Sequence, residues 1–256
     1  MSSFRFQLLS ACVLGTAFTT PQAAETAKPT APDKSGYNLF NPTPDALLRE
    51  LTPDRPDKTE SPYTLDAGHF QVELDFANFT CDQTDSTTTK AWNVAPFNLK
   101  AGLANNVDLQ LVFDNYLHVR TEDRLAGTIF TQSGSGDLTA RLKINLWGND
   151  GGQTAFGLLP FVRFPTSTDG LGNHDIEGRI IFPRAIKLTC GFDLGLETAA
   201  VVLRDAGGSD YHGDFINSIT VGHDLGGRLG GYVAFFSDIS TERHSGWGEP
   251  WTQPMI

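Results

Sequence analysis

The stretch Asp137-Leu138-Thr139-Ala140-Arg141-Leu142-Lys143-Ile144-Asn145-Leu146 decides the fold class. Leu138, Ala140, Leu142, Ile144 and Leu146 alternate with Asp137, Thr139, Arg141, Lys143 and Asn145. A period of two puts each set on its own side of an extended chain, so the segment reads as a strand with one apolar and one polar face. It is also long. An ordinary strand runs to ~5–6 residues, whereas a tilted strand crossing the hydrocarbon of a bilayer needs ~9–11.

The same alternation recurs on both sides of it. Phe70, Val72, Leu74 and Phe76 alternate with Gln71, Glu73 and Asp75, and Phe97, Leu99, Ala101 and Leu103 with Asn98, Lys100 and Gly102. Val107, Leu109, Leu111 and Phe113 alternate with Asp108 and Gln110, with Val112 as an exception on the polar side. Less regular strands follow at residues 153–164, 174–187, 190–203, 212–224 and 226–238, which makes about nine. Their connections alternate between long and tight. Long polar segments at Asp82–Thr89, Arg120–Gly136, Pro165–Asn173 and Arg204–Tyr211 are separated by tight turns at 104–106, 148–152, 188–189 and 224–226. A transmembrane barrel has this rhythm, because one rim carries short turns and the other long loops. The expected fold is therefore all-β, an antiparallel transmembrane β-barrel. Substitutions on its polar face should be tolerated better than charges placed on its apolar face. A soluble β-sandwich or a lipocalin-like barrel would show the same period, but would spread Lys and Glu over its outer face. Here the polar positions are mostly Asn, Gln, Thr, Asp, Arg and Gly.

Composition narrows the function classes. The 256 residues carry 19 basic and 30 acidic groups, a net charge of −11, which gives nucleic acid no electrostatic footprint. Eighteen Phe, five Tyr and four Trp are too much ring mass for a disordered chain. Residues 1–24 read as a secretory signal peptide, with Arg5 before an apolar run from Leu8 to Phe18 and small Ala23 and Ala24 at its end. Residues 25–67 read as a periplasmic N-terminal segment with a short helix, in which Thr43 caps, Pro44 takes the first helical position, and Leu47, Leu48 and Leu51 form the apolar side. Residues 68–238 hold the barrel strands. The tail, 239–256, contains Pro250 and Pro254 and departs from strand pattern, so a truncated barrel is expected. Cys81 and Cys190 fall at opposite ends of their strands and should stay unpaired.

Between the N-terminal segment and the first strand stands Thr52-Pro53-Asp54-Arg55-Pro56-Asp57-Lys58-Thr59-Glu60-Ser61-Pro62-Tyr63-Thr64-Leu65, followed by Gly68-His69-Phe70-Gln71-Val72-Glu73. This resembles the opening signature of the outer-membrane family named for the meta-pathway of phenol degradation. The likeness continues through Leu159–Thr166 and Gly230–Phe236. It implies a transporter-type β-barrel that passes small solutes, aromatic or apolar ones among them.

The site residues expected from the pattern fall into two groups. Glu73, Asp75, Lys100, Asp108, Arg141, Lys143, Arg163, Glu177 and Arg179 lie on polar faces and are pore-lining candidates. Asp54, Arg55, Asp57 and Glu60 are candidates for a latch or plug in which Arg55 pairs with a lumen carboxylate such as Glu73; a charged, solvated lead-in to the first strand fits the same residues. No Gly-x-Ser-x-Gly elbow or metal-ligand spacing occurs, so no catalytic activity, cofactor or metal is expected. The expected partners are outer-membrane lipid, small-molecule solutes and the barrel-assembly machinery of a Gram-negative-type bacterium. A closed adhesin-type barrel, or a secreted β-sandwich that binds without transporting, is the alternative.

Overall fold

The computed structural model describes residues 7–11, 32–54, 59–172, 175–204, 211–226 and 229–240. It is all-β and antiparallel throughout. The strands are β1 (Gln7–Ala11), β2 (Phe70–Leu74), β3 (Ala77–Gln83), β4 (Thr87–Val94), β5 (Phe97–Ala104), β6 (Val107–Phe113) and β7 (Tyr116–Asp123). They continue with β8 (Thr128–Gly134), β9 (Leu138–Trp147), β10 (Thr154–Phe164), β11 (Glu177–Lys187), β12 (Phe192–Arg204), β13 (Tyr211–Gly226) and β14 (Leu229–Ser240).

Ten of them form one sheet in the order β1-β14-β13-β12-β11-β10-β9-β6-β5-β2. Leaving β1 aside, these are the strands expected from the alternation. The ladder is open among the described residues, with β1 and β2 at its edges, so hydrogen bonding does not close a barrel. β1 lies within the segment read as an export signal and pairs from Gln7↔Phe236 to Ala11↔Tyr232.

Two expectations are corrected. The segments at Asp82–Thr89 and Arg120–Gly136 are not simply loops, because much of each belongs to a second, four-stranded sheet, β3-β4-β7-β8. Each of its strands continues one of the main sheet across a break at 75–76, 95–96, 114–115 or 135–137. The breaks are tied to one another: Asp75 N–H donates to Pro96 O at 3.2 Å and Gly136 N–H to Asp114 O at 2.9 Å. A Cβ on Gly136 would stand 2.7 Å from that of Asp114, so only glycine fits there. The expected N-terminal helix is likewise absent. Asp45–Leu47 make one 3₁₀ turn with no side-chain cap, and Leu48 is already extended. The Arg49 amide donates to Asp66 Oδ2 at 2.7 Å, which draws the chain out of helical geometry at the next residue.

Burial in the main sheet is inverted relative to a soluble protein. On β6 the buried residues are Asp108, Gln110 and Val112, while Leu109 is 36% exposed. On β2 Glu73 is buried, while Phe70 and Val72 are 68% and 63% exposed. The same holds at the far side, where Ser218 and Thr220 of β13 are buried and Phe215 and Ile219 are exposed. The concave face is packed, not open. Gln110 is fully buried between Asn98 and Asp108, so a larger side chain at this position has no free space to enter.

Cys81 and Cys190 are free and exposed, on β3 and in the β11–β12 turn. Maleimide should modify both in the folded protein without reductant. Modification of neither until dithiothreitol is added would contradict this placement.

Candidate functional site

The polar face is covered by the chain's own Asp54 and Thr59–Asp66, which lie across it without entering a ladder. Pro53 and Pro62 have no N–H to give. Several of the described amides find side chains. Asp54 N–H donates to Glu73 Oε1 (3.2 Å), Glu60 N–H to Glu197 Oε2 (2.7 Å), Ser61 N–H to Asp54 Oδ1 (3.2 Å), Thr64 N–H to Asn149 Oδ1 (3.0 Å) and Leu65 N–H to Asp108 Oδ2 (3.0 Å). The wall's carboxylates and amides thus do for this segment what neighbouring strands do elsewhere. Asn145 Nδ2 donates to Pro62 O at 2.8 Å, and Thr59 Oγ1 shares hydrogen bonds with Ser218 Oγ (2.8 Å) and Thr220 Oγ1 (2.7 Å). One short stretch therefore touches β2, β6, β9, β12 and β13, so the main sheet must curl around it.

At the centre is an ion network. Lys143 Nζ lies 2.7 Å from Asp54 Oδ1 and 3.7 Å from Glu60 Oε2. Lys100 Nζ pairs with Asp54 as well and lies 2.6 Å from Glu73 Oε1, and Arg141 pairs with Glu60. Lys143 and Lys100 are 1% and 3% exposed, so these charges are stable only because they are paired. Burial by itself pushes the Asp54 carboxyl up, but the ammonium groups of Lys143 and Lys100 override it and hold the group well below the usual carboxylate range.

A second network fixes the segment at the short-turn end. Asp66 and Asp150 share Lys34 (3.3 and 2.8 Å) and Arg49 (3.3 and 2.9 Å). Burial would raise Asp150, yet its hydrogen bonds to Lys34 and Arg49 keep it lowered. Close approach here depends on glycine: a Cβ on Gly102 would lie 2.0 Å from Asp66 O.

Of the residues singled out by pattern, Glu73, Lys100, Asp108, Arg141 and Lys143 meet around Asp54 and Glu60. Asp75 is half-exposed in the break between β2 and β3, where it accepts from Asn78 Nδ2 at 3.0 Å. Arg163 and Glu177 pair with each other at 3.3 Å nearer the long-loop end, and Arg179 stands over the Phe161 ring. Arg55 and Asp57 lie outside the described residues; Glu73, expected to meet Arg55, is engaged by Lys100. Pattern alone missed Glu197, Thr59, Lys34, Arg49, Asp66 and Asp150. Glu197 shares inward parity with Ala199 and Val201, which was a usable signal. The others lie on irregular chain and have no period to betray them.

Residues 53–248 match the family model described as "Putative MetA-pathway of phenol degradation". No curated protein and no solved structure matches the chain.

Asp54→Asn should destabilise the folded protein by about 3–5 kcal/mol at neutral pH, because buried Lys143 loses its nearest carboxylate and buried Lys100 one of its two. A carboxyl held low in the folded state contributes fully above its ordinary pKa of ~3.9, and that contribution fades as pH falls toward the folded value. Urea unfolding in detergent micelles should therefore show a constant gap between variant and parent from about pH 5 to 8, narrowing only below about pH 4. A gap that closes already near neutral pH would contradict the pairing.

Proposed function

The chain belongs to the phenol-degradation meta-pathway family, and from that premise we propose that it is an outer-membrane β-barrel that passes small solutes and whose path is occupied at rest by its own Asp54 and Thr59–Asp66. The observation that carries this reading is the inversion of burial. An ion network involving Asp54, Glu60, Glu73, Lys100, Arg141 and Lys143 lies inside, while Phe70, Val72, Leu74, Leu109, Phe215, Ile219, Val233 and Phe235 are exposed on the outward face. Water gives such an exterior no stability, and contiguous exposed apolar surface of this kind fits a lipid environment. The sequence pattern at residues 1–24, which reads as an export signal, and strands of 10–16 residues from β9 to β14 support this reading. In this account the protein does no covalent chemistry. Its barrel interior selects, and the crossing segment sets the resting width.

The closed adhesin-type barrel differs in one respect, since its interior would never open. Two measurements separate the readings. Fractionation should place the protein in the outer membrane, and planar bilayers should show small conductance steps that grow in Glu60→Gln, which frees Arg141 and loosens the segment. A variant that stays silent in bilayers would favour the closed barrel. Recovery of the parent in the soluble periplasmic fraction would overturn both.

A further inference from the structure

The second sheet, β3-β4-β7-β8, carries the wall on past the long-loop end. Its two faces are told apart by contact with the main sheet: Asn93 Nδ2 of β4 donates to Asp114 Oδ1, which follows β6 on the buried parity of Gln110 and Val112. Lys90, Trp92 and Val94 point the other way, and they are the exposed positions of β4. Register builds two rows across this outward face. The row nearer the breaks is Phe79, Trp92 and His118, in which the Phe79 and Trp92 rings stand 4.7 Å apart and about half of each side chain is exposed. The next row, two residues further along each strand, is Cys81, Lys90, Arg120 and Thr131. Lys90 and Arg120 are direct partners, and like charges opposite each other weaken a strand pair. Among the described residues no carboxylate stands within ion-pair distance of Lys90, and Arg120 has Glu122 at 3.7 Å, a contact between two well-exposed side chains. Packing therefore gives no reason for two cations to stand side by side on a chain of net charge −11.

An anion from outside the chain supplies one. Rings on the outward face of a barrel mark the level at which the lipid wall meets the headgroups, and a row two residues further along stands about 7 Å beyond them. We propose that Lys90 and Arg120 bind the phosphate of an anionic lipid headgroup in the external leaflet, with the Phe79 and Trp92 rings against the top of its apolar chains. A phosphomonoester suits the pair, because its oxygens accept from the Lys90 ammonium and the Arg120 guanidinium together and its charge offsets both. The inference rests on reading the outward face as lipid-facing and names the lipid that this part of it prefers.

Cys81 lies in the same row as the two cations and provides the reporter. The full chain carrying Cys190→Ser is labelled at Cys81 with an environment-sensitive maleimide fluorophore and held in neutral detergent micelles. It is then titrated with phosphatidic acid or with phosphatidylcholine of identical chains. The half-maximal change should come at about tenfold less phosphatidic acid than phosphatidylcholine at low salt, and the difference should shrink in about 0.5 M NaCl. With Lys90→Gln and Arg120→Gln together, the two lipids should titrate alike and the phosphatidylcholine curve should not move. Heat-modifiable mobility should be kept, since neither side chain is buried. If the double variant does not fold, the ranking of the two lipids on the parent and its loss in salt decide alone. Equal titrations in the parent, or a preference that survives the double substitution, would overturn the site. Inorganic phosphate at the same concentrations should change nothing; a response equal to that of phosphatidic acid would make this a site for the free ion and overturn the lipid assignment. Lipid preference and membrane residence fail separately. An outer-membrane protein without the preference keeps the barrel and loses the site, whereas a soluble periplasmic protein whose label still ranks the lipids keeps the site and loses the barrel.

Discussion

The Asp54 carboxylate, held between the ammonium groups of Lys100 and Lys143, is the interaction on which the rest of the structure depends. Lysines on β5 and β9, the two strands that flank β6, are turned to the inner side of the sheet and cannot stay charged there without a close anion, and among the described residues no carboxylate of the sheet stands within ion-pair distance of Lys143. Glu73 serves Lys100 but not Lys143. The missing anions arrive on a separate stretch of chain, which explains why that stretch is fixed although it joins no ladder.

Once the segment is in place, the remaining features follow as conditions for keeping it. Its amides must be satisfied, and Glu73, Asp108, Glu197 and Asn149 accept them. Its backbone must come close, and Gly102 of β5 leaves room where any side chain would strike Asp66. The strand that presents Gly195 also passes close, since a Cβ there would lie 3.3 Å from Thr59 Cγ2. With polar groups consumed inside, the outward parity is left to Leu, Val, Ile and Phe, and that is the distribution a lipid-facing wall needs. Interior pairing and exterior apolarity are two consequences of one arrangement.

Much of this was legible in the sequence because strands have a strict period. Asp137–Leu146 announced which of Arg141, Lys143 and Leu142 would face together, and nine strands of the main sheet follow from the same rule. The second sheet was hidden because β3, Ala77–Gln83, is exposed along its whole length and has no buried face to impose alternation. The stretch 43–51 carries a helical pattern without a helix because Pro44 and Asp45 suit a helical first turn as well as they suit a 3₁₀ turn, and the deciding contact, Arg49 with Asp66, is tertiary. The segment's acidic residues were recognisable, but their partners were not: Asp54 meets Lys100 and Lys143, 46 and 89 positions away, and no local pattern encodes that distance.

The central claim, that β6 presents its polar side to a packed interior and its apolar side to lipid, is tested most directly by spin labels placed one at a time at residues 107–113 in reconstituted bilayers. Collision with oxygen should peak at Leu109 and Leu111 and drop at Asp108 and Gln110, with a period of two and little access for a water-soluble nickel chelate at the buried positions. Equal oxygen access at odd and even positions, or strong nickel access at Leu109 and Leu111, would contradict the account.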